Sequence, residues 1–269
     1  MTTETGFAEI NGARIYYEVA GSGPALVFLH GYTLDRRMWD DQFEHFAGRY
    51  RVVRYDTRGF GRSDLPTEAP FSNHDDLRLL LDHLAIDRAH ACGLSSGGGI
   101  AIDVALECPD RVRSVIAISS ALGGSSHGLG PMTNAVVAMN EAGSAGDLEK
   151  AKRIWLESLL FAPASRDPRV AERLAQIVGD WSGWQLTHQP NHIDPSPPSA
   201  SRLQHLAVPV LVMVGELDID MVQSVAADLE NGVPNARRVV MPDVGHMTNM
   251  EAPEAVNNVI DEFLASTGG

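Results

Sequence analysis

Three residues far apart in the chain have the types needed to build one nucleophile: Ser95, Asp218 and His246. Ser95 stands in Gly93–Leu94–Ser95–Ser96–Gly97, after an apolar run and before a helical pattern. A serine in such a turn needs glycines beside it, because the bend is strained and neighbouring backbone packs closely; its hydroxyl is then exposed at the carboxyl end of a sheet. That hydroxyl is a poor nucleophile until a neutral imidazole takes its proton, and the imidazole keeps one tautomer when a carboxylate holds it. His246 follows Asp243–Val244–Gly245 in a loop past the last apolar run, and Asp218 follows Gly215–Glu216–Leu217. Glu216 lies too close to the strand end and Asp220 too far into the next helix, so Asp218 is the expected partner. Each of the three ends a strand, the rim where ligands bind in open α/β sheets.

A serine flanked by glycines is a short pattern, and a second copy occurs at Gly124–Ser125–Ser126–His127–Gly128. Ser119–Gly123 separates that copy from its strand, and Gly130–Pro131 follows it, so no helix can begin at its serine and it reads as a loop. A phosphate-cradling turn is the other reading of the first copy. The P-loop lysine and the G-x-G-x-x-G spacing are missing. His30–Gly31–Tyr32 follows the run Ala25–Leu29, and Gly31 lets the chain turn so that the N–H of Tyr32 faces the same site as the N–H of Ser96. Two amides aimed at a developing oxyanion suit acyl transfer. His30 reads as a core histidine tying loops together. The charges and glycines from Asp56 to Ser63 read as scaffold, with Asp56 and Arg58 bridging loops.

Elements that position these residues follow from period and punctuation. Strand patterns cover Arg14–Ala20, Ala25–Leu29, Arg51–Tyr55, Arg88–Cys92, Val112–Ile118, Val208–Val214 and Ala236–Met241, most of them continuously apolar and so covered on both faces. Helical stripes at Asp75–Leu84, Gly97–Leu106 and Pro253–Leu264 fall between or after them. Such alternation predicts an α/β fold, a mostly parallel sheet with helices on both faces, with Phe7–Ala20 as an edge hairpin turning at Asn11–Gly12. From Leu122 to Pro209 strand signals stop; helical stretches at Asp147–Phe161 and Pro168–Val178 predict a helical cap over 122–208, inserted into a core of 1–121 and 209–269. Trp155, Trp181 and Trp184 in that cap are candidate walls of a substrate pocket.

The chain has 269 residues, 44% of them hydrophobic, which excludes a disordered or fibrous chain. Its 35 acidic against 21 basic residues give a formal charge of −14, which repels nucleic acid and anionic lipid. Cys92 and Cys108 lack metal-ligand or redox spacing and read as small hydrophobes of a reducing compartment. No apolar run reaches bilayer length and Met1–Glu9 carries no leader pattern, so the expectation is a soluble, cytoplasmic protein. Its expected partner is a small-molecule substrate; no cofactor or metal is called for, and a homo-oligomer is compatible with the composition.

Taken together, His30–Gly31, Asp56-x-Arg58-Gly59-x-Gly61-x-Ser63, the turn around Ser95, Gly215-x-x-Asp218 and Gly245–His246 resemble the α/β-hydrolase superfamily in content and order. Within it, Arg36–Asp40, Arg54–Gly59 and Ile86–His90 are similar to 3-oxoadipate enol-lactonases and related small esterases. The resemblance implies a serine hydrolase of a small carboxylic ester or lactone. Alternatives on the same residues are carbon–carbon bond hydrolysis, cofactor-free perhydrolysis, or ligand reception without turnover. Two departures bear on function. Ser96 stands where those lactonases usually carry Met, and none of the cap's Lys150, Lys152, Arg153, Arg166, Arg169 and Arg173 is assigned to the anionic lactone they bind.

Overall fold

Asn11 and Gly12 both adopt positive φ, 48° and 74°, the combination that a tight hairpin between right-twisted strands requires. In the computed structural model, which describes residues 2–267, they join β1 (Thr3–Ile10) to β2 (Ala13–Ala20) as an antiparallel pair. The first strand therefore starts before Phe7, where the apolar alternation of the sequence begins, because pairing with β2 extends the ladder through polar residues. From there the chain runs β3 (Ala25–Leu29), α1 (Asp40–Phe46), β4 (Arg51–Tyr55), α2 (Asn73–His83), β5 (Ala89–Leu94), α3 (Ser96–Glu107) and β6 (Val112–Ile118). Next come α4 (Met132–Ser144), α5 (Leu148–Leu156) and α6 (Pro168–Asp180), with no strand among them. The chain then forms β7 (Val210–Gly215), α7 (Asp220–Gly232), β8 (Ala236–Met241), α8 (Thr248–Glu251) and α9 (Pro253–Ser266).

The sheet order is β1-β2-β4-β3-β5-β6-β7-β8. β1–β2 and β2–β4 pair antiparallel, and every pair from β4–β3 to β7–β8 is parallel. Parallel neighbours bring their carboxyl ends to one rim: Leu29 pairs with Gly93 and Leu94 with Ile118. Alternate residues of a strand face opposite sides, and β3 shows the result. Its Leu26 and Phe28 join a core with α1 and α9; Ala25, Val27 and Leu29 join a second core with α2, α3 and α7.

Apolar side chains of α4, α5 and α6, among them Met139, Trp155 and Leu174, belong to the first of these cores. Two local expectations are corrected, and one helix had no signal in the sequence. The helix expected over Asp147–Phe161 stops at Leu156, where the chain turns to bury Leu160 and Phe161. α4 is not legible, since its apolar and polar residues mix along the helix and only Met132, Met139, Ala142 and Gly143 are buried. β8 is not covered on both faces: it is the edge strand and Val240 is exposed. Among the described residues, no helix is long and apolar enough to cross a membrane.

Candidate active site

Ser95 sits between β5 and α3 with φ 55° and ψ −120°, a region that costs a non-glycine residue about 1–3 kcal/mol. The surroundings hold it there. Its N–H donates to the Ile118 carbonyl at 3.0 Å, and its own carbonyl accepts from Ala121 (2.9 Å), Gly98 (3.0 Å) and Gly99 (3.2 Å). The flanking glycines are required by close approach: a Cβ on Gly93 would lie 2.1 Å from the Gly97 carbonyl oxygen, and one on Gly97 2.2 Å from that of Leu29. Gly124–Gly128, the rival copy, lies in the loop before α4, with His127 bonded to Asp228 at 2.7 Å.

At the end of β7 a similar contact sets the histidine loop. A Cβ on Gly215 would meet the Gly245 carbonyl at 2.2 Å, so only glycine lets that loop lie across the strand end. His246 thereby reaches Asp218: its Nδ1–H donates to the two carboxylate oxygens at 3.1 and 3.0 Å, and both residues are buried. Asp218 also accepts from the Ile219 N–H at 2.8 Å. Neither rival carboxylate competes. Glu216 accepts from the Asp243 N–H, and Asp220 opens α7. Ser95 and His246 line one cavity of about 120 Å³. His246 Nε2 and Ser95 Oγ make no hydrogen bond to any described residue, which leaves both free towards that space.

Gly31 and Tyr32 line the same cavity, and no described acceptor takes the N–H of Tyr32 or of Ser96. His30 fixes this loop as a neutral tie. Its Nδ1–H donates to the Gly31 carbonyl (2.8 Å) and its Nε2 accepts from the Thr57 N–H (2.9 Å), while burial pushes its pKa down. Asp56 receives Arg36 and the Arg62 N–H, and Arg58 grips Asp76 through two bonds of 2.9 and 2.8 Å, so this segment is scaffold.

The three tryptophans singled out in the sequence part company. Trp155 lines the cavity. Trp181 is buried behind it, its ring edge-on to Tyr32 at 5.7 Å and its N–H on Gln185. Trp184 lines no part of the cavity. Gly183, at φ 68°, turns the chain out of α6, so the next turn buries Leu186 while Trp184 stacks on His188 at 4.7 Å.

Some participants had no signal in the sequence. Glu251, five residues after His246, accepts the N–H groups of Gly245 (2.9 Å) and Met247 (3.0 Å), gripping the histidine from both sides; burial raises its pKa. Thr33, at φ 64°, donates to the Tyr32 carbonyl (2.6 Å) and accepts the Trp155 indole N–H (2.7 Å). Ser119 Oγ and Thr248 Oγ1 bond at 3.1 Å, and Thr248 donates to the Gly245 carbonyl. The apolar lining comes from α4, α7 and the turn after α5, as Met132, Val136, Met221, Val222 and Phe161. Among the described residues, no three His, Cys, Asp or Glu side chains converge as a metal-binding group.

Comparison with known proteins agrees with this architecture. The alpha/beta hydrolase fold family matches residues 24–253. The chain belongs to that family. As an alpha/beta hydrolase it is 29% identical to a 2-hydroxy-6-oxononadienedioate/2-hydroxy-6-oxononatrienedioate hydrolase of Burkholderia vietnamiensis, over 93% of this chain and 91% of that protein. It is also 29% identical to 3-oxoadipate enol-lactonase 2 of Acinetobacter baylyi, over 90% and 88% of the two chains. Among solved structures, the enol-lactonase from Burkholderia xenovorans superposes with a TM-score of 0.83 at 26% identity, covering 97% of this alpha/beta hydrolase and all of that chain. The relatives make this alpha/beta hydrolase an enzyme of the hydrolase class.

Proposed function

We propose that the protein is a serine hydrolase of small carboxylic esters or lactones, with Ser95, His246 and Asp218 as its triad and the N–H groups of Tyr32 and Ser96 as its oxyanion hole. The observation that carries this reading is that the His246–Asp218 pair and Ser95 border one cavity. In the first half-reaction, His246 Nε2 takes the Ser95 proton as Oγ bonds to the substrate carbonyl carbon. The two amides hold the oxyanion, and one such donor is typically worth about 2.7–4 kcal/mol. Collapse breaks the bond to the alcohol oxygen, which takes the proton from His246 and leaves an acyl-Ser95 ester. Water, deprotonated by His246, repeats the sequence and frees the acid. A lactone differs only in that its alcohol stays tethered to the acyl chain. Residues 122–208 act as the cap closing this site over a core of 1–121 and 209–269, with Trp155 as the tryptophan that meets substrate.

A fluorophosphonate probe tests the assignment. Wild type is labelled and Ser95→Ala is not, while Asp218→Asn stays folded and turns over esters more slowly by about 10³–10⁴-fold. Labelling of Ser95→Ala at the wild-type rate refutes the assignment. Similarity to the dienedioate hydrolase favours a second reading, carbon–carbon bond hydrolysis on the same three residues. Rapid turnover of simple alkyl esters separates the two.

A further inference from the structure

We infer that the site selects an uncharged acyl group and rejects one carrying a second carboxylate. This rests on the serine-hydrolase reading and narrows its substrate class. Among the described residues that line the cavity there is no lysine or arginine. Beyond Ser95, His246 and the oxyanion loop, the one polar side chain at its wall is Ser119, whose hydroxyl is already bonded to Thr248. The rest is aliphatic, aromatic or thioether, with Leu129, Val136, Trp155, Phe161, Met221 and Val222 among it. Burial pushes the Tyr32 phenol up to about 12, so it too stays uncharged at neutral pH.

Cations of the segments flanking the cavity lining have partners of their own. Arg173 bonds Asp41 and the Arg37 carbonyl, and Arg37 pairs with Asp35 and Asp180. Lys152 donates to the Gly179 carbonyl, and Arg169 pairs with Asp167. Lys150, Arg153 and Arg166 are exposed and line no part of the cavity. His246 must be neutral to act as base, and the Tyr32 and Ser96 amides are occupied by the reacting carbonyl oxygen. A carboxylate on the acyl chain would therefore lose its water with nothing positive to replace it, which is strongly unfavourable. The formal charge of −14 opposes its approach as well.

The test compares ethyl pentanoate with monoethyl succinate, two esters of similar length of which only the second is anionic at pH 7.5, by proton release. The wild type should prefer the pentanoate by about 100-fold or more in kcat/KM. Val136→Lys, at a half-buried position on the cavity wall, should narrow that preference by about 10-fold or more by raising the succinate rate. As a second measurement, a neutral alkyl fluorophosphonate should label Ser95 faster than one ending in a carboxylate, whether or not either ester is a good substrate. Equal kcat/KM or equal labelling rates for the charged and neutral members would overturn the charge selection alone. Labelling that survives Ser95→Ala would overturn the underlying acyl-transfer reading instead.

Discussion

Replacing Gly97 with alanine should damage the site through backbone alone. The new Cβ would lie 2.2 Å from the Leu29 carbonyl oxygen, 2.6 Å from its carbon and 2.7 Å from the His30 oxygen. None of these is a flexible side-chain end. Restoring van der Waals contact takes a movement of about 1 Å between the first turn of α3 and the end of β3. Overpacking of this kind costs about 1–3 kcal/mol. The consequence for chemistry is larger, because the contact sits between the two proposed oxyanion donors: Ser96 is on the α3 side and Tyr32 follows His30 on the β3 side. A displacement of about 1 Å at such a site can reduce the rate by about 10²-fold. Gly99→Ala in the same helix is the control. Its Cβ has the Ala121 oxygen at 3.5 Å as nearest neighbour, an ordinary contact, and it should gain up to about 1 kcal/mol of helix propensity. Urea denaturation measures the stabilities and fluorophosphonate labelling measures Ser95 reactivity. A Gly97→Ala protein as stable and as quickly labelled as wild type would show that this contact does not set the site.

Thr33→Val removes the acceptor of the Trp155 N–H and the bond to the Tyr32 carbonyl, so it should lower stability by about 1–3 kcal/mol and kcat more than KM, with Thr33→Ser restoring both. Melting curves and steady-state kinetics read the two effects. Glu251→Gln places an amide N–H against one of the two backbone donors flanking His246; kcat should fall while KM changes little, and an unchanged kcat would exclude a role in holding the histidine. His90 gives a pH dependence: it is buried, its Nε2 has no partner among the described residues, and burial lowers its pKa from 6.5 to about 4. Below 6.5 the unfolded chain takes up this proton and the folded chain does not, so about 3 kcal/mol of stability should drain away between pH 6.5 and 4. Denaturation of His90→Gln should show a shallower acid loss, and an identical acid slope would count against the assignment.

Much of the framework is local and therefore legible in the chain. Strands such as Ala25–Leu29 and Val210–Val214 announce themselves as continuous apolar runs, because burial on both faces leaves no place for a polar alternate. The turn at Ser95 is written in its glycines, since close approach of backbone excludes any side chain at Gly93 and Gly97. Ser95, Asp218 and His246 could each be singled out for the same reason: each follows a strand, and parallel strands deliver their carboxyl ends to one rim.

What tertiary structure alone decided is everything that depends on which distant surfaces meet. That Trp155 faces the cavity, Trp181 backs Tyr32 and Trp184 turns away depends on Gly183 and on packing against the core, not on the indole itself. Glu251 gains its hold on His246 because α8 folds back beneath the loop, and Thr33 meets Trp155 across 122 positions of sequence. The absence of a cation from the cavity lining is likewise invisible in a chain with 21 lysines and arginines, since counting charges does not say where their carboxylate partners will draw them. Periodicity and backbone strain act between near neighbours and leave their mark on the order of residues. Side-chain partnership acts through space, and only the folded chain fixes it.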